Sequence, residues 1–240
     1  MSLGLEFRKV KRTGLSAAFL GGGILAAAVP ALNMAFRSEM YLSAGSSPVS
    51  VLISANWQTI SMLNVLLIVA GACTLYSIEY ADNALQKMRT LPLSESRLFL
   101  GKAGLLLALS ILFLLPEAAS VAACAAHWFG TDSGIAAQVL RAFGFALLLL
   151  LPSLLSSLLI SSLCRNLWVS LGIGVICVLT ATMIPSNRFI PSLFPFALPF
   201  RTLFGPSAES VREYAAAAAA ETAAFSLLAV IILKLRRTYQ

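Results

Sequence analysis

Six apolar stretches, each about as long as the roughly 20-residue helix that crosses a roughly 30 Å hydrocarbon core, leave this chain few folds to choose from. They run over residues 14–36, 52–78, 103–126, 137–163, 166–184 and 214–233. In lipid every backbone N–H and C=O has to be paired inside the protein, so successive spans of this length are helices. With 59% hydrophobic and 11% charged residues, the chain has no stretch from which a soluble domain can be built. It reads as an all-α polytopic membrane protein, one domain over residues 1–240, with no internal repeat of about 20–50 residues. A basic start followed by Ala26-Ala27-Ala28 imitates a cleaved signal peptide, but the first apolar run reaches Phe36, beyond the usual 7–15 residues of such signals.

Lys and Arg concentrate in cytoplasmic loops. With six spans and both termini in the cytoplasm, that side holds Arg8, Lys9, Lys11, Arg12, Lys87, Arg89, Arg97, Lys102, Arg165, Lys234, Arg236 and Arg237, twelve of the seventeen basic residues. Arg37, Arg141, Arg188, Arg201 and Arg212 fall outside or near the outer interface. The net charge of +7 is therefore an orientation signal. A nucleic-acid partner would need a soluble basic face, which is lacking.

Before the first span, Leu3, Phe7 and Val10 recur at helical spacing among basic residues. Residues 1–13 read either as a helix lying in the membrane interface against anionic headgroups or as a basic flank that sets topology. Between spans five and six, residues 185–213 carry Pro185, Pro191, Pro195, Pro199 and Pro206 among large apolar side chains. The segment is too apolar for a solvated loop and too broken for a span. Two short re-entrant or interfacial helices on the outer side fit it, as does an aromatic belt on the bilayer surface. In the last span Tyr214 precedes six alanines and Glu221, a composition that permits close helix contact.

Enzyme motifs are missing. Gly101-Lys102 is preceded at P-loop distance by Ser96 and followed by Ala103, so the chain does not bind ATP in the P-loop manner. Cys73, Cys124, Cys164 and Cys177 are dispersed and read as small packing residues. His127 is the single histidine, too isolated for a metal site. No metal or other cofactor is expected in this chain. Glu117, directly after the helix-bending Pro116, and Glu221 are carboxylates within spans. Ionisable groups there are expensive and mark functional positions by default. Pro116, Glu117 and Glu221 are thus candidates for a transport path or a proton relay, with a structural carboxylate as the alternative.

The densest charge lies in residues 79–102, seven charges in 24 residues. Glu79, Asp82, Gln86 and Arg89 fall near one helical face and Leu85, Met88 and Leu91 form an apolar edge. Pro92 ends that helix, since the residue before proline avoids the α region. Ser94 is an N-cap for a second helix with Glu95 in its first turn. The segment reads as helix, break, helix, re-entering the membrane at Gly101-Lys102. The plainer alternative is a solvated loop.

Glu79, then Leu85, Arg89-Thr90-Leu91-Pro92-Leu93-Ser94 and Leu100-Gly101-Lys102, resembles the loop between spans two and three of type-2 ATP-binding-cassette exporter permeases, which also have six spans and an outer proline-rich segment. The length and the stretch Phe196 to Arg201 are most similar to the permease subunits of lantibiotic and bacitracin immunity systems. The resemblance implies a coupling helix within residues 79–93, with Glu79, Asp82, Leu85, Gln86, Met88, Arg89, Leu91 and Pro92 meeting a cognate ATP-binding subunit. ATP and Mg would be bound by that partner. It further implies a second permease subunit, identical or homologous, to enclose a path. The function implied is outward extrusion of an amphipathic or lipid-associated cargo, such as an antimicrobial peptide, at a bacterial plasma membrane. Other readings stay open: a haem- or lipid-exporting permease, although no axial-ligand cluster is present; an intramembrane lipid enzyme using Glu117, His127 and Asp132; and a non-transporting membrane scaffold.

Overall fold

The structure, a computed structural model, describes residues 13–42, 47–80, 95–130, 133–184, 189–204 and 207–238. The expected interfacial helix over 1–13 falls outside them except for Thr13, as do Asp132, Arg188 and every residue of 81–94. Among the described residues there is no strand. Six long helices form the fold: α1 (Leu15–Leu42), α2 (Pro48–Tyr80), α3 (Glu95–Phe129), α4 (Ile135–Leu163), α5 (Leu167–Thr182) and α6 (Ala208–Thr238). Five of them, all but α5, contain a stretch long and apolar enough to cross a membrane. The 16-residue α5 is about 24 Å long at 1.5 Å per residue, shorter than the expected span over 166–184.

Local chemistry explains the helix ends. The helical path of α1 breaks at Arg37 (φ −138°, ψ 32°), next to the Phe36 where the first apolar run stops. Pro48 opens α2, a position where the missing N–H is no loss, and Ser50 N–H donates to Ser47 Oγ at 3.4 Å. Asn166 caps α5 by accepting from Trp168 N–H at 2.9 Å. Helix α3 runs unbroken from Glu95 through Gly101 and Lys102 to Phe129. The second helix expected in the charged segment and the third span are therefore one element.

Helix α2 is the centre of the bundle, packing against α1, α3, α4 and α5. Small residues set the approach. A Cβ on Gly23 of α1 would sit 2.6 Å from the Phe113 carbonyl oxygen and 2.7 Å from its Cα, so backbone meets backbone there. Gly71 of α2 admits the Phe19 ring and Leu106, and Phe19 in turn lies against Phe113 with ring centroids 5.9 Å apart. This is how helices associate where lipid and side chain are equally apolar.

Helix α6 departs from expectation. Of the alanine tract only Ala218 is buried, with Tyr214, Leu149 and Leu198, while Ala216, Ala219 and Ala220 are exposed. Alanines in succession point all round a 3.6-residue helix, and α4 meets mainly one side of it. Close contact within the chain is thus confined to one face.

The described part of the proline-rich segment packs against the helical bundle. Among the described residues it holds one α-helical turn, Phe189–Ser192, and one 3₁₀ turn, Leu198–Phe200. Phe196, Ala197 and Leu198 are buried, whereas Ile190 is exposed. Irregular backbone buried within the protein leaves carbonyls without helix partners, and the bundle supplies donors. Trp57 Nε1 donates to the Pro199 carbonyl at 3.0 Å, Ser61 Oγ to the same oxygen at 2.9 Å, and Ser153 Oγ to the Pro195 carbonyl at 2.6 Å. We expect Trp57→Phe or Ser61→Ala alone to lower thermal stability by about 0.5–1.5 kcal/mol. The double variant leaves the Pro199 carbonyl orphaned and should lose more than the two singles combined; simple additivity in thermal unfolding would contradict this account.

Candidate functional site

Two buried polar contacts join α2 to α3. At one end, Lys102 Nζ lies 3.0 Å from Glu79 Oε1, with side-chain exposures of 3% and 2%. The ammonium also donates to the Leu75 carbonyl at 2.8 Å and sits 5.3 Å from the centre of the Tyr76 ring. Leu75, Tyr76 and Glu79 all belong to α2. Lys102 thus meets a carboxylate, a carbonyl and a π face together, which is why a lysine is tolerated in a closed site.

Deeper in the bundle, Asn64 Nδ2 of α2 donates to Glu117 Oε2 of α3 at 3.0 Å. Glu117 is fully enclosed and Asn64 is 1% exposed. Asn64 Oδ1 and Glu117 Oε1 have no hydrogen-bond partner. Glu79 follows Asn64 by fifteen residues and Glu117 follows Lys102 by fifteen. Both contacts therefore belong to one antiparallel register, spaced about 22 Å along the helices at 1.5 Å per residue. Further along α2, Asn56 accepts a hydrogen bond from Asn33 of α1 and donates to the Leu52 carbonyl at 2.8 Å. Ser120 of α3 donates to the Ala27 carbonyl of α1 at 2.6 Å.

Other predicted positions are dispersed. Pro116 is half-buried beside Glu117. Glu221 is half-buried on α6, its Oε2 buried without a hydrogen-bond partner. His127 is exposed and stacks edge-on against Trp128, ten residues beyond Glu117 on α3, about 15 Å along the helix. The structure does not bring Glu117 and His127 together, so the constellation required for a lipid-acting enzyme is not assembled among the described residues. No group of three His, Cys, Asp or Glu side chains capable of holding a metal gathers there either. Of the eight docking residues expected, Glu79 alone is described, and it faces Lys102 inside the protein; Asp82, Leu85, Gln86, Met88, Arg89, Leu91 and Pro92 lie outside the described residues.

Sequence reasoning missed several partners. Lys102 registers in the sequence as a topology charge, and the asparagines of the first two spans draw no notice, although a polar amide within an apolar run is itself a signal of interhelical hydrogen bonding. Cys73, read as a packing residue, lies 3.1 Å from Ser170 Oγ, and Ser170 and Ser161 share a 3.0 Å hydrogen bond, tying α2, α4 and α5. Arg201 is buried, donating to Ser192 Oγ at 2.5 Å and lying 5.7 Å from the Tyr214 ring centre. Burial lowers its pKa from the ordinary guanidinium value, an effect that Tyr214 opposes.

The helical bundle, its apolar spans and the polar ties between them define a multi-pass membrane protein. The family model described as "ABC-2 family transporter protein" matches residues 2–181, three quarters of the chain and all of helices α1 to α4. The chain belongs to the ABC-2 family of membrane transport proteins. It is accordingly a permease-type subunit of an ATP-binding-cassette transporter, a class that works with an ATP-binding partner. No curated protein and no solved structure matches the chain.

Proposed function

We propose that this protein is the permease subunit of an ATP-binding-cassette exporter, with six spans and both termini in the cytoplasm of a bacterial cell. The family match over residues 2–181 carries the reading. A separate ATPase docks on the segment that begins at Glu79, through Asp82, Leu85, Gln86, Met88, Arg89, Leu91 and Pro92, and binds ATP and Mg. A second permease copy or homologue completes the path. The cargo is an amphipathic or lipid-associated molecule moved outward, with an antimicrobial peptide of the lantibiotic or bacitracin kind as the first choice, on the likeness of residues 196–201 to the immunity permeases. Pro116-Glu117 on α3 and Glu221 on α6, two helices in contact, mark where that path runs. Glu117 is closed off in the conformation described, so a path past it opens by displacement of α3.

The test is to purify the tagged protein in mild detergent, identify chains that accompany it, and assay ATP hydrolysis. Recovery of an ATP-binding subunit is expected. Leu91→Asp should reduce its association by about 2 kcal/mol or more, as loss of a central apolar anchor does, with membrane insertion unchanged. Undiminished co-purification would remove the docking role from this segment. Recovery of the chain alone, without hydrolysis, would reject the exporter and favour a scaffold. For the cargo, cells expressing the permease with its ATPase should tolerate added lantibiotic or bacitracin better than cells expressing the permease with a hydrolysis-dead ATPase. Equal sensitivity would exclude these peptides.

A further inference from the structure

The two α2–α3 contacts share a register, and the resulting arrangement does more than stabilise. Glu79–Lys102 lies where α2 ends, beside the charged segment, and Asn64–Glu117 lies about 22 Å further in. Sliding α2 along α3 would break both contacts together and part buried polar groups from the partners they meet there. Each such parting is strongly unfavourable where no water reaches. Polar contacts of this kind resist displacement far more than apolar packing in lipid, where leucine against leucine is little better than leucine against an acyl chain. At its other end α2 holds the proline-rich segment, through Trp57 and Ser61 to the Pro199 carbonyl. One helix therefore connects the charged segment, the buried Glu117 and the proline-rich segment.

We infer that α2 and α3 move as a single rigid lever, with Glu79–Lys102 and Asn64–Glu117 as its two rungs, so that a push at the charged segment is delivered to the segment held by Pro199. In this arrangement Glu79 is a positioning residue that acts through Lys102, not a contact for the ATPase. Glu117 likewise holds α3 to α2. A path past Glu117 opens by moving the pair against α1 or α6, not by parting α2 from α3. The inference rests on the permease reading for the source of the push, and its test separates the two.

Ala70 of α2 and Ile111 of α3 are both exposed and lie level in the same register, and Leu228 of α6 is exposed as well. Encoded spin-label amino acids at these positions leave the native cysteines in place. Distances are read by pulsed electron paramagnetic resonance on the assembled transporter in lipid nanodiscs, without nucleotide and trapped with ADP and vanadate. The lever requires the 70–111 distance to hold within about 1 Å while the 70–228 distance shifts by about 2 Å or more, the scale of helix displacement in switching proteins. A comparable shift in 70–111 overturns the lever and leaves the permease reading standing. No nucleotide response at either pair, or no ATPase in the complex, rejects the permease reading and the lever with it.

The rungs are tested separately by two near-isosteric double variants, Glu79→Leu with Lys102→Met, and Asn64→Leu with Glu117→Leu. Each removes a rung without leaving an orphaned charge, so the fold is retained. In either variant the 70–111 distance should become broad and nucleotide-dependent. A distance that stays narrow and invariant in both would show that apolar packing alone holds the helices, and would return these residues to a purely stabilising role.

Discussion

Lys102→Met removes the ammonium paired with the buried Glu79 carboxylate and destabilises the folded protein by about 3–5 kcal/mol, the penalty for breaking a buried ion pair from one side. Glu79 is 2% exposed, so water cannot replace the ammonium without prising α2 from α3. The loss should appear as a large drop in the unfolding temperature of detergent-solubilised protein and in the amount that accumulates in the membrane. The double variant Glu79→Leu/Lys102→Met should recover most of that loss, because replacing a buried pair by apolar residues of similar size is often neutral. The reversed pair, Glu79→Lys/Lys102→Glu, should not recover. A carboxylate at position 102 would face the Leu75 carbonyl, to which Lys102 now donates. Wild-type stability in Lys102→Met, or full rescue by the reversed pair, would contradict the geometry.

The second large effect separates two glycines only two residues apart. Gly23→Ala drives a methyl into the Phe113 backbone, 2.6 Å from its oxygen, and no side-chain rotation relieves a clash with main chain. Helices α1 and α3 have to separate, with an expected loss of about 1–3 kcal/mol for overpacking, or more. Separation would also stretch the Ser120 to Ala27 hydrogen bond between the same helices. Gly21→Ala meets nothing within 4 Å and should be neutral or stabilising by about 0.5–1 kcal/mol, the usual gain of alanine over glycine within a helix. The comparison is made by thermal unfolding of both variants in one detergent; equal behaviour would mean that α1 and α3 are not packed backbone to backbone at Gly23.

These expectations mark where the sequence was legible. Pro48 and Asn166 mark helix starts that the apolar runs alone did not place, because capping and proline effects act within a turn, and the first helix continues to Leu42, past the end of its apolar run at Phe36. The charged residues 79–102 and the Leu-Pro break pointed to the transporter class that the family match supports. The enclosure of Glu117 was partly visible, since a carboxylate in a span demands a partner, but its partner Asn64 is 53 residues away in sequence.

What the sequence determined by itself is the class of fold: an all-helical membrane protein, with five of the described helices long and apolar enough to cross a bilayer. Hydropathy determines that a segment is a helix in lipid, because lipid satisfies no backbone group. It is silent on which face meets which neighbour, because a leucine against lipid and a leucine against another helix are equally apolar. Tertiary structure alone decided that Glu79 faces Lys102 instead of solvent, that Asn64 meets Glu117 in the same register, that the alanine tract of α6 buries one face, and that Trp57 and Ser61 supply the donors missing from a proline-broken chain. Each of these depends on side chains distant in sequence meeting at a few ångströms, and burial then gives a polar pair its weight because no water competes for it.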